Sequence, residues 1–309
     1  MSILKILIGV PGSGKSTFAR EFAMEEDVIV SSDSIRLALF GDEGCQADNS
    51  KVFKLFHQQT REFLRKGKTV WADATNINMK SRRSVIGCAR KKTDEVWAYV
   101  FLTPYRKCCI NDAVRDRNVG PGVIQKMIMR FQMPILEEGF DKIFYIYDDA
   151  VTYSELDEYK EWFVSKAKGF EQESKWHRED LLEHCLKARN IVASVSEDQA
   201  FIDAAFLHDC GKLYTRTYEK GKGYHFFNHQ NYGAYDFLTK VNENGNMTST
   251  IYEIAYLINY HDSAYQMPPK TLRKRFGDHA DLLSAFHKVD VKASVRDEGV
   301  VEHYSWEEK

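Results

Sequence analysis

Two groups of residues in this sequence have the types and spacing to act on phosphate. The first is the run Gly9-Val10-Pro11-Gly12-Ser13-Gly14-Lys15-Ser16-Thr17, which fits the spacing G-x-x-x-x-G-K-[ST]. Glycines let successive backbone N–H groups turn toward phosphate oxygens, and a helix starting at such a loop adds the positive end of its dipole. Gly12, Ser13, Gly14 and Thr17 would form the cradle. Lys15 would reach the β- and γ-phosphates of ATP or another NTP, and Ser16 would hold its Mg2+. Two further stretches fit the same chemistry. In Ser32-Asp33-Ser34-Ile35-Arg36, Asp33 could take the proton of an attacking hydroxyl and Arg36, on the same helix face, could clamp a phosphate. The stretch also fits a plain helix N-cap at Asp33 or Ser32. In Asp73-Ala74-Thr75-Asn76, Asp73 could hold a magnesium-bound water and Thr75 and Asn76 could contact substrate, with Asn76 equally suited to a turn.

The second group lies beyond residue 170. His184, adjacent His208 and Asp209, His229, His261 and Asp290 fall on the inward sides of helical patterns. Burying such groups unpaired is costly, and a metal centre would supply their partner. Imidazole and carboxylate ligands suit Mn, Fe, Ni, Co or Zn. His177 competes with His184, and His225 with His229, for the same place.

These residues need elements to position them. Apolar runs at Ile3–Ile8, Val28–Ser31, Lys68–Ala72, Glu95–Leu102 and Ile143–Tyr147 read as strands. Asp33 and Asp73 fall at strand carboxyl ends, the edge where open α/β sheets bind ligands. A mostly parallel five-stranded sheet with flanking helices follows, built from residues 1–150. Arg106, Lys107, Arg115 and Arg117 are expected on a basic helix before the Gly/Pro hinge Val119-Gly120-Pro121-Gly122, which suits a lid over the transferring phosphate. Interleaved Asp112 and Asp116 also allow an ordinary solvated helix. Residues 151–170 read as a linker or connecting helix, and 171–309 as an all-α domain. Only His57 precedes residue 150, whereas His177, His184, His208, His225, His229, His261, His279, His287 and His303 follow it. That asymmetry points to two chemistries in two domains.

Bulk properties narrow the classes. At 309 residues the chain can hold two cores. A net charge of −2 leaves nucleic acid binding to local basic patches. No apolar run approaches a membrane span. The strand pattern from residue 3 leaves no room for a signal peptide. Six cysteines without a C-x-x-C pair suit a reducing cytoplasm.

The set G-x-x-G-x-G-K-S-T, S-D-x-x-R and D-A-T-N, followed by the lid arginines, resembles the P-loop polynucleotide 5′-kinases of phages and bacterial RNA-repair enzymes over about residues 1–150. That resemblance implies that Asp33 is the general base for a 5′-hydroxyl and Arg36 contacts the acceptor's 3′ phosphate. It leaves open which of Arg115 and Arg117 faces the γ-phosphate. Over residues 175–295 the order H…HD…H…H…D, with Leu207-His208-Asp209-Cys210-Gly211-Lys212 and His225-Phe226-Phe227-Asn228-His229, resembles the HD-domain phosphohydrolases. This second resemblance implies that His184, His208, Asp209 and Asp290 bind one ion. Asp209 would bridge to another held by His229 and His261, and Lys212 would contact the substrate phosphate. The combination implies a cytoplasmic bacterial or phage enzyme that heals nucleic-acid ends. It would phosphorylate 5′-hydroxyls and remove 2′,3′-cyclic, 2′- or 3′-phosphates, on RNA more than DNA, with an RNA ligase acting downstream. A small-molecule or nucleoside kinase fused to an HD nucleotide phosphohydrolase is the alternative. A nucleotide sensor without catalysis fits less well, because every catalytic candidate is intact.

Overall fold

The computed structural model describes residues 2–173, 177–221, 223–243, 245–294 and 304; His303 lies outside them. The chain divides into two compact units, Met1–Val151 and Thr152–Lys309. No helix among the described residues is long and apolar enough to cross a membrane.

In the first unit, β1 (Ile3–Ile8) leads to α1 (Lys15–Phe22), β2 (Val28–Ser31), α2 (Ser32–Phe40), α3 (Asn49–Arg65), β3 (Val70–Asp73), α4 (Met79–Ala89), β4 (Glu95–Leu102), α5 (Tyr105–Ala113), α6 (Pro121–Ile128) and β5 (Lys142–Tyr147). The strands pair in the order β2-β3-β1-β4-β5, and every pairing is parallel. The near-continuous apolar run of β1 follows from its central place. Leu4, Ile6, Leu7 and Ile8 are wholly buried, because a parallel sheet is covered on both faces by its crossover helices. On one face Leu7, Trp71 and Phe101 pack with Ala19 and Phe18 of α1. The strand order sets the function. It puts the carboxyl ends of β2, β3 and β1 side by side, and with them Asp33, Asp73 and the glycine loop.

A buried ion pair braces this edge from behind. Arg82 of α4 is fully buried and donates to the Glu138 carboxylate through Nε (2.9 Å) and Nη2 (2.6 Å). Its Nη1 reaches the carbonyls of Asn76 (3.2 Å) and Gln132 (2.8 Å). One guanidinium thus ties α4 to the loop after β3 and to the turn before β5. Removing one partner strands the other charge in the core. Glu138→Leu is therefore expected to lower unfolding free energy by roughly 3–5 kcal/mol, read from denaturant midpoints. A loss below 1 kcal/mol would remove the bracing role.

The basic helix expected to carry Arg115 and Arg117 is shorter than its charge pattern suggests. α5 ends at Ala113, and both arginines lie on the turn that follows. The cause is Asp112, whose carboxylate accepts from the N–H groups of Val119 and Gly120, both at 2.9 Å. That folds the chain back before Pro121 starts α6 at a position where its missing N–H costs nothing.

The second unit runs α7 (Leu156–Ala167), α8 (Leu181–Ala193), α9 (Gln199–Leu207), α10 (Lys212–Thr215), β6 (Thr217–Glu219), β7 (Gly223–His225), α11 (His229–Lys240), α12 (Ser249–Tyr260), α13 (Ser263–Gln266), α14 (Pro269–Phe276) and α15 (His279–Ala293). Two sequence expectations change here. The segment read as a linker or connecting helix holds the helix α7, which packs as part of this unit: Tyr159, Phe163 and Ala167 are buried, and the Phe163 ring meets Phe206 edge-on at 5.5 Å. The all-α reading also missed the antiparallel hairpin β6–β7, where Tyr218 pairs with Tyr224 across a glycine turn. At three residues a strand, the hairpin is too short for an alternating pattern to register.

Candidate catalytic sites in the two units

In the first unit, α1 differs from its neighbours at its N-terminus. Ser31, Asp48 and Asn78 cap α2, α3 and α4 with side-chain acceptors. α1 begins at Gly14 with φ 89° and no side-chain cap, so its first N–H groups are left for a ligand. The loop is held open by its surroundings. Gly12 has φ 78°, and a Cβ there would overlap the Cys108 carbonyl of α5. The Gly12 carbonyl accepts from Asn111 Nδ2 at 2.9 Å and the Ser13 carbonyl from Thr103 Oγ1 at 3.2 Å. Sequence reasoning missed both braces, which lie some ninety residues downstream.

Lys15 is buried, with Nζ donating to the Val10 carbonyl at 2.8 Å and to Ser13 Oγ at 3.4 Å. Burial lowers its pKa, against the opposing pull of Asp73. Asp73 is shifted the other way: burial raises its pKa while Lys15 and a hydrogen bond from Ser16 hold it down. A hydroxyl and a carboxylate brought together beside the loop are a donor set suited to Mg2+. Ser16 is half-buried, and Thr17 and Gly14 are exposed at the mouth.

Asp33 stands in the first turn of α2 and accepts from Arg36 Nη1 at 2.7 Å, with Arg117 Nη1 at 3.5 Å. Arg36 is buried over the Phe53 ring and donates from Nη2 to Asn49 Oδ1 at 3.0 Å. The two lid arginines therefore part company. Arg117 faces Asp33, whereas Arg115 contacts Asp112 at 3.6 Å and is close enough to Lys15 to depress that lysine's pKa. Thr75 is half-buried and its carbonyl accepts from Gly9 N–H at 3.0 Å. Asn76 takes the turn role that the sequence allowed equally. Its φ is 45°, it is buried, and its amide donates to the carbonyls of Leu7 (2.9 Å), Ala72 and Ala74 (both 3.4 Å). It shapes the turn.

In the second unit the helix ends deliver the candidate ligands. His208 closes α9, His261 closes α12, His229 opens α11, and His184 and Asp290 project from α8 and α15. Three of the four imidazoles share one device. Nδ1 of His208, His229 and His261 lies 2.9 Å from the carbonyl of the residue three before it, Ala205, Phe226 and Ile258. A carbonyl only accepts, so Nδ1 carries the proton and Nε2 is a bare lone pair. His184 differs: its Nδ1 lies 3.3 Å from Glu179 Oε1 without making a hydrogen bond there. All four Nε2 atoms then face inward in pairs: His184 to His208 at 3.2 Å and His229 to His261 at 3.1 Å. Two lone pairs at that distance repel unless a cation sits between them.

Asp209 joins the pairs. Its Oδ2 lies 3.4 Å from both His184 and His208 Nε2, and its Oδ1 lies 3.0 Å from His229 and 3.9 Å from His261. Asp290 Oδ1 completes the first set at 3.0 Å from His184 and 3.3 Å from His208. Each set, His184–His208–Asp290 and Asp209–His229–His261, has the donor types and closeness to hold a metal ion. Burial opposes charging His208, but Asp209 and Asp290 outweigh it and push its pKa up to about 10. Both carboxylates are themselves held well below the usual range despite burial, Asp209 chiefly by Lys212 and Asp290 by His184 and His208.

The rivals lie outside these two sets, although His177 forms a third close group with Glu179 and His184. His177 faces Glu179 at 3.7 Å and Lys212 at 3.3 Å, behind His184, and His225 stacks on Phe227. Lys212 lies inside the cluster. It is buried, with Nζ 2.6 Å from Asp209 Oδ2 and 2.8 Å from Gln172 Oε1, so it neutralises and fixes the bridging carboxylate. Sequence reasoning missed Glu179 and Asp262. Asp262 lies 3.6 Å from His261 and 3.9 Å from His229. The pair His261-Asp262 at a helix end repeats His208-Asp209, a signal that was there to be read. Close packing of α10 on α11 fixes the bridge: a Cβ on Gly211 would overlap the His229 carbonyl.

Residues 4–134 match the family model described as AAA domain, which fits the parallel sheet and the phosphate loop of a P-loop kinase fold. Among particular relatives, the plant protein named transcription factor bHLH140, from Arabidopsis thaliana, is 29% identical over 155 residues, 48% of this chain and 16% of that protein. A chain of the Pnkp1/Rnl/Hen1 RNA repair complex aligns at 25% identity and TM-score 0.40, covering 50% of this chain and 52% of the other. A fungal RNA kinase aligns at 15% identity and TM-score 0.34, over 66% of this chain and 95% of its own. The chain spans about a sixth of the curated relative's length and about half of the repair-complex chain.

Proposed function

We propose that this protein heals nucleic-acid ends with two separate sites. The first unit is read as an NTP-dependent polynucleotide 5′-hydroxyl kinase. The second is read as an HD-type phosphohydrolase for 2′,3′-cyclic, 2′- or 3′-phosphate ends, RNA foremost, leaving ends that an RNA ligase could join.

The observation that carries the kinase reading is the placing of an acid and two arginines beside an uncapped phosphate loop. Asp33, held by Arg36 and Arg117, stands at the sheet edge that also carries Lys15 and Asp73. Asp33 takes the proton of the 5′-hydroxyl as that oxygen bonds to the γ-phosphorus. The bond from γ-phosphorus to the β-bridging oxygen breaks, and NDP leaves. Lys15 and Arg115 stabilise charge on the β and γ oxygens, while Arg36 and Arg117 are left to hold acceptor phosphate. Ser16, with Asp73 behind it, would hold Mg2+, which would supply neutralising charge for the triphosphate.

In the second unit His184, His208 and Asp290 would hold one transition-metal ion and His229 and His261 another, with one oxygen of Asp209 toward each. When bound, such ions supply Lewis acidity and an acidified water. The chain's own part is to present four bare Nε2 atoms, to bridge through Asp209, and to offset the bridge's charge with Lys212. The net reaction adds water across a P–O bond of the ribose end.

The test is transfer of label from γ-labelled ATP. A 5′-hydroxyl oligoribonucleotide is expected to accept label on its 5′ end. Label appearing on a nucleoside, with none on the oligonucleotide, would replace the polynucleotide reading with the small-molecule kinase.

A further inference from the structure

The two ligand sets of the second unit are unequal. Each has a pair of imidazoles and one oxygen of Asp209, but the first also has a carboxylate of its own, Asp290, 3.0 Å from His184 and 3.3 Å from His208. The second set, Asp209–His229–His261, has no unshared carboxylate. Asp262 stands beside it. Its Oδ1 lies 3.6 Å from His261 Nε2 and its Oδ2 3.9 Å from His229 Nε2. Within the set itself, Asp209 Oδ1 is also 3.9 Å from His261, so Asp262 is no farther from the imidazoles than a donor already in place. Nδ1 of both histidines faces a carbonyl, which leaves each Nε2 as a lone pair. Carboxylate oxygens turned toward two lone pairs are repelled unless a cation lies between them. A helix does not explain this carboxylate either. Asp262 opens α13 without a capping bond, on a helical backbone of φ −75° and ψ −5° where a cap residue is normally extended. Asp48, Asp180 and Asp198 do cap, each accepting from N–H groups of the helix it opens.

From these contacts we propose that Asp262 is a ligand of the second ion, the counterpart of Asp290 at the first. The inference rests on the reading of the cluster as a two-ion centre. Each ion then has two imidazoles, one carboxylate of its own and a share of Asp209. That is a mixed nitrogen and oxygen set suited to Mn2+, Fe2+ or Co2+, and it spreads negative charge evenly between the two positions. Asp262 faces only one histidine pair, so it cannot bridge as Asp209 does. It is also the more open of the carboxylates: its side chain is 26% exposed, against 19% for Asp290 and 3% for Asp209. The second position is therefore closed on its solvent side by Asp262 alone of these three. Its ion is the one that exchanges first when metal is withdrawn, and it lies on the side from which a substrate phosphate arrives.

The experiment titrates Mn2+ alone into chelator-stripped, full-length protein without nucleotide, read by calorimetry and by the electron paramagnetic resonance of free and bound Mn2+. Wild type is compared with Asp262→Ala, Asp262→Asn and Asp262→Glu, and Asp209→Ala serves as the blank for ions held elsewhere in the chain. Circular dichroism checks each fold. Wild type is expected to hold two ions above the blank. Asp262→Ala and Asp262→Asn should keep the first ion at unchanged affinity and weaken the second by more than roughly 100-fold, beyond the range of an outer-sphere residue. Asp262→Glu, which keeps the carboxylate, should bind the second ion more tightly than either. A smaller loss in a folded Asp262→Ala variant, or loss of both ions together, overturns the assignment of Asp262. Wild type that binds no more Mn2+ than Asp209→Ala removes the two-ion centre and the proposal with it. A second ion that depends on Asp262, in a protein that hydrolyses no 2′,3′-cyclic phosphate, keeps the proposal and removes the phosphohydrolase reading.

Discussion

Asp209→Ala is expected to lose both the bound metal and the hydrolysis of 2′,3′-cyclic phosphate, while the 5′-kinase activity survives. The loss should exceed the roughly 10- to 100-fold that changing an outer-sphere residue costs a metal site, because Asp209 is the only carboxylate with an oxygen toward each histidine pair among the described residues. Its removal also leaves Lys212 buried without its nearest anion, 2.6 Å away. An unpaired charge in that place costs about 3–5 kcal/mol, so the alanine variant should also unfold more readily. Asp209→Asn separates the two effects. It keeps the volume and an acceptor for Lys212 but loses the charge, so its fold should hold better while metal content still falls. Elemental analysis of purified protein, read beside circular dichroism, distinguishes these outcomes. A folded Asp209→Ala variant that retains its metal would contradict the bridging role.

Asp33→Ala is expected to lower 5′-phosphoryl transfer by roughly 10²- to 10⁴-fold, the range for a positioned general base, with NTP affinity largely kept. The separation follows from geometry. Asp33 pairs with Arg36 and Arg117, whereas the loop is built by Lys15, Ser16 and the backbone of Gly12 and Gly14. Titrating a fluorescent nucleotide against both proteins, together with single-turnover transfer, separates binding from chemistry. Transfer near the wild-type rate would show that Asp33 only holds Arg36 and Arg117 in place and that another group takes the proton.

Much of this architecture is legible in the sequence, for local reasons. The glycine loop announces itself because strand, turn and helix are contiguous, and a parallel sheet announces itself through strands apolar on both faces. The histidines are legible because a polar residue on an apolar helix face needs an explanation. What stayed hidden depends on contacts distant along the chain or on direction. Arg82 and Glu138 are 56 residues apart, and nothing local marks either as buried. Glu179 is one acid among many until His184 Nδ1 is seen to face it. Lys212 sits where a phosphate contact was expected, but its side chain turns inward to Asp209. Asn76 suited a substrate contact and a turn equally in the sequence, and the positive φ of its turn puts its amide to work on three carbonyls. Arg115 and Arg117 share a charge pattern that cannot say which faces the phosphate. The turn imposed by Asp112 sends one toward Lys15 and the other to Asp33.

The central claim is that one chain carries two independent end-healing chemistries. The most direct test follows a single RNA bearing a 5′-hydroxyl and a 2′,3′-cyclic phosphate, incubated with ATP and divalent metal, with both ends resolved by mass. Wild type should gain a 5′-phosphate and open or lose the cyclic phosphate. Asp33→Ala should alter only the 3′ end, and Asp209→Ala only the 5′ end. An RNA left unchanged at either end by the wild-type protein, or both activities lost together in one folded variant, would contradict the account.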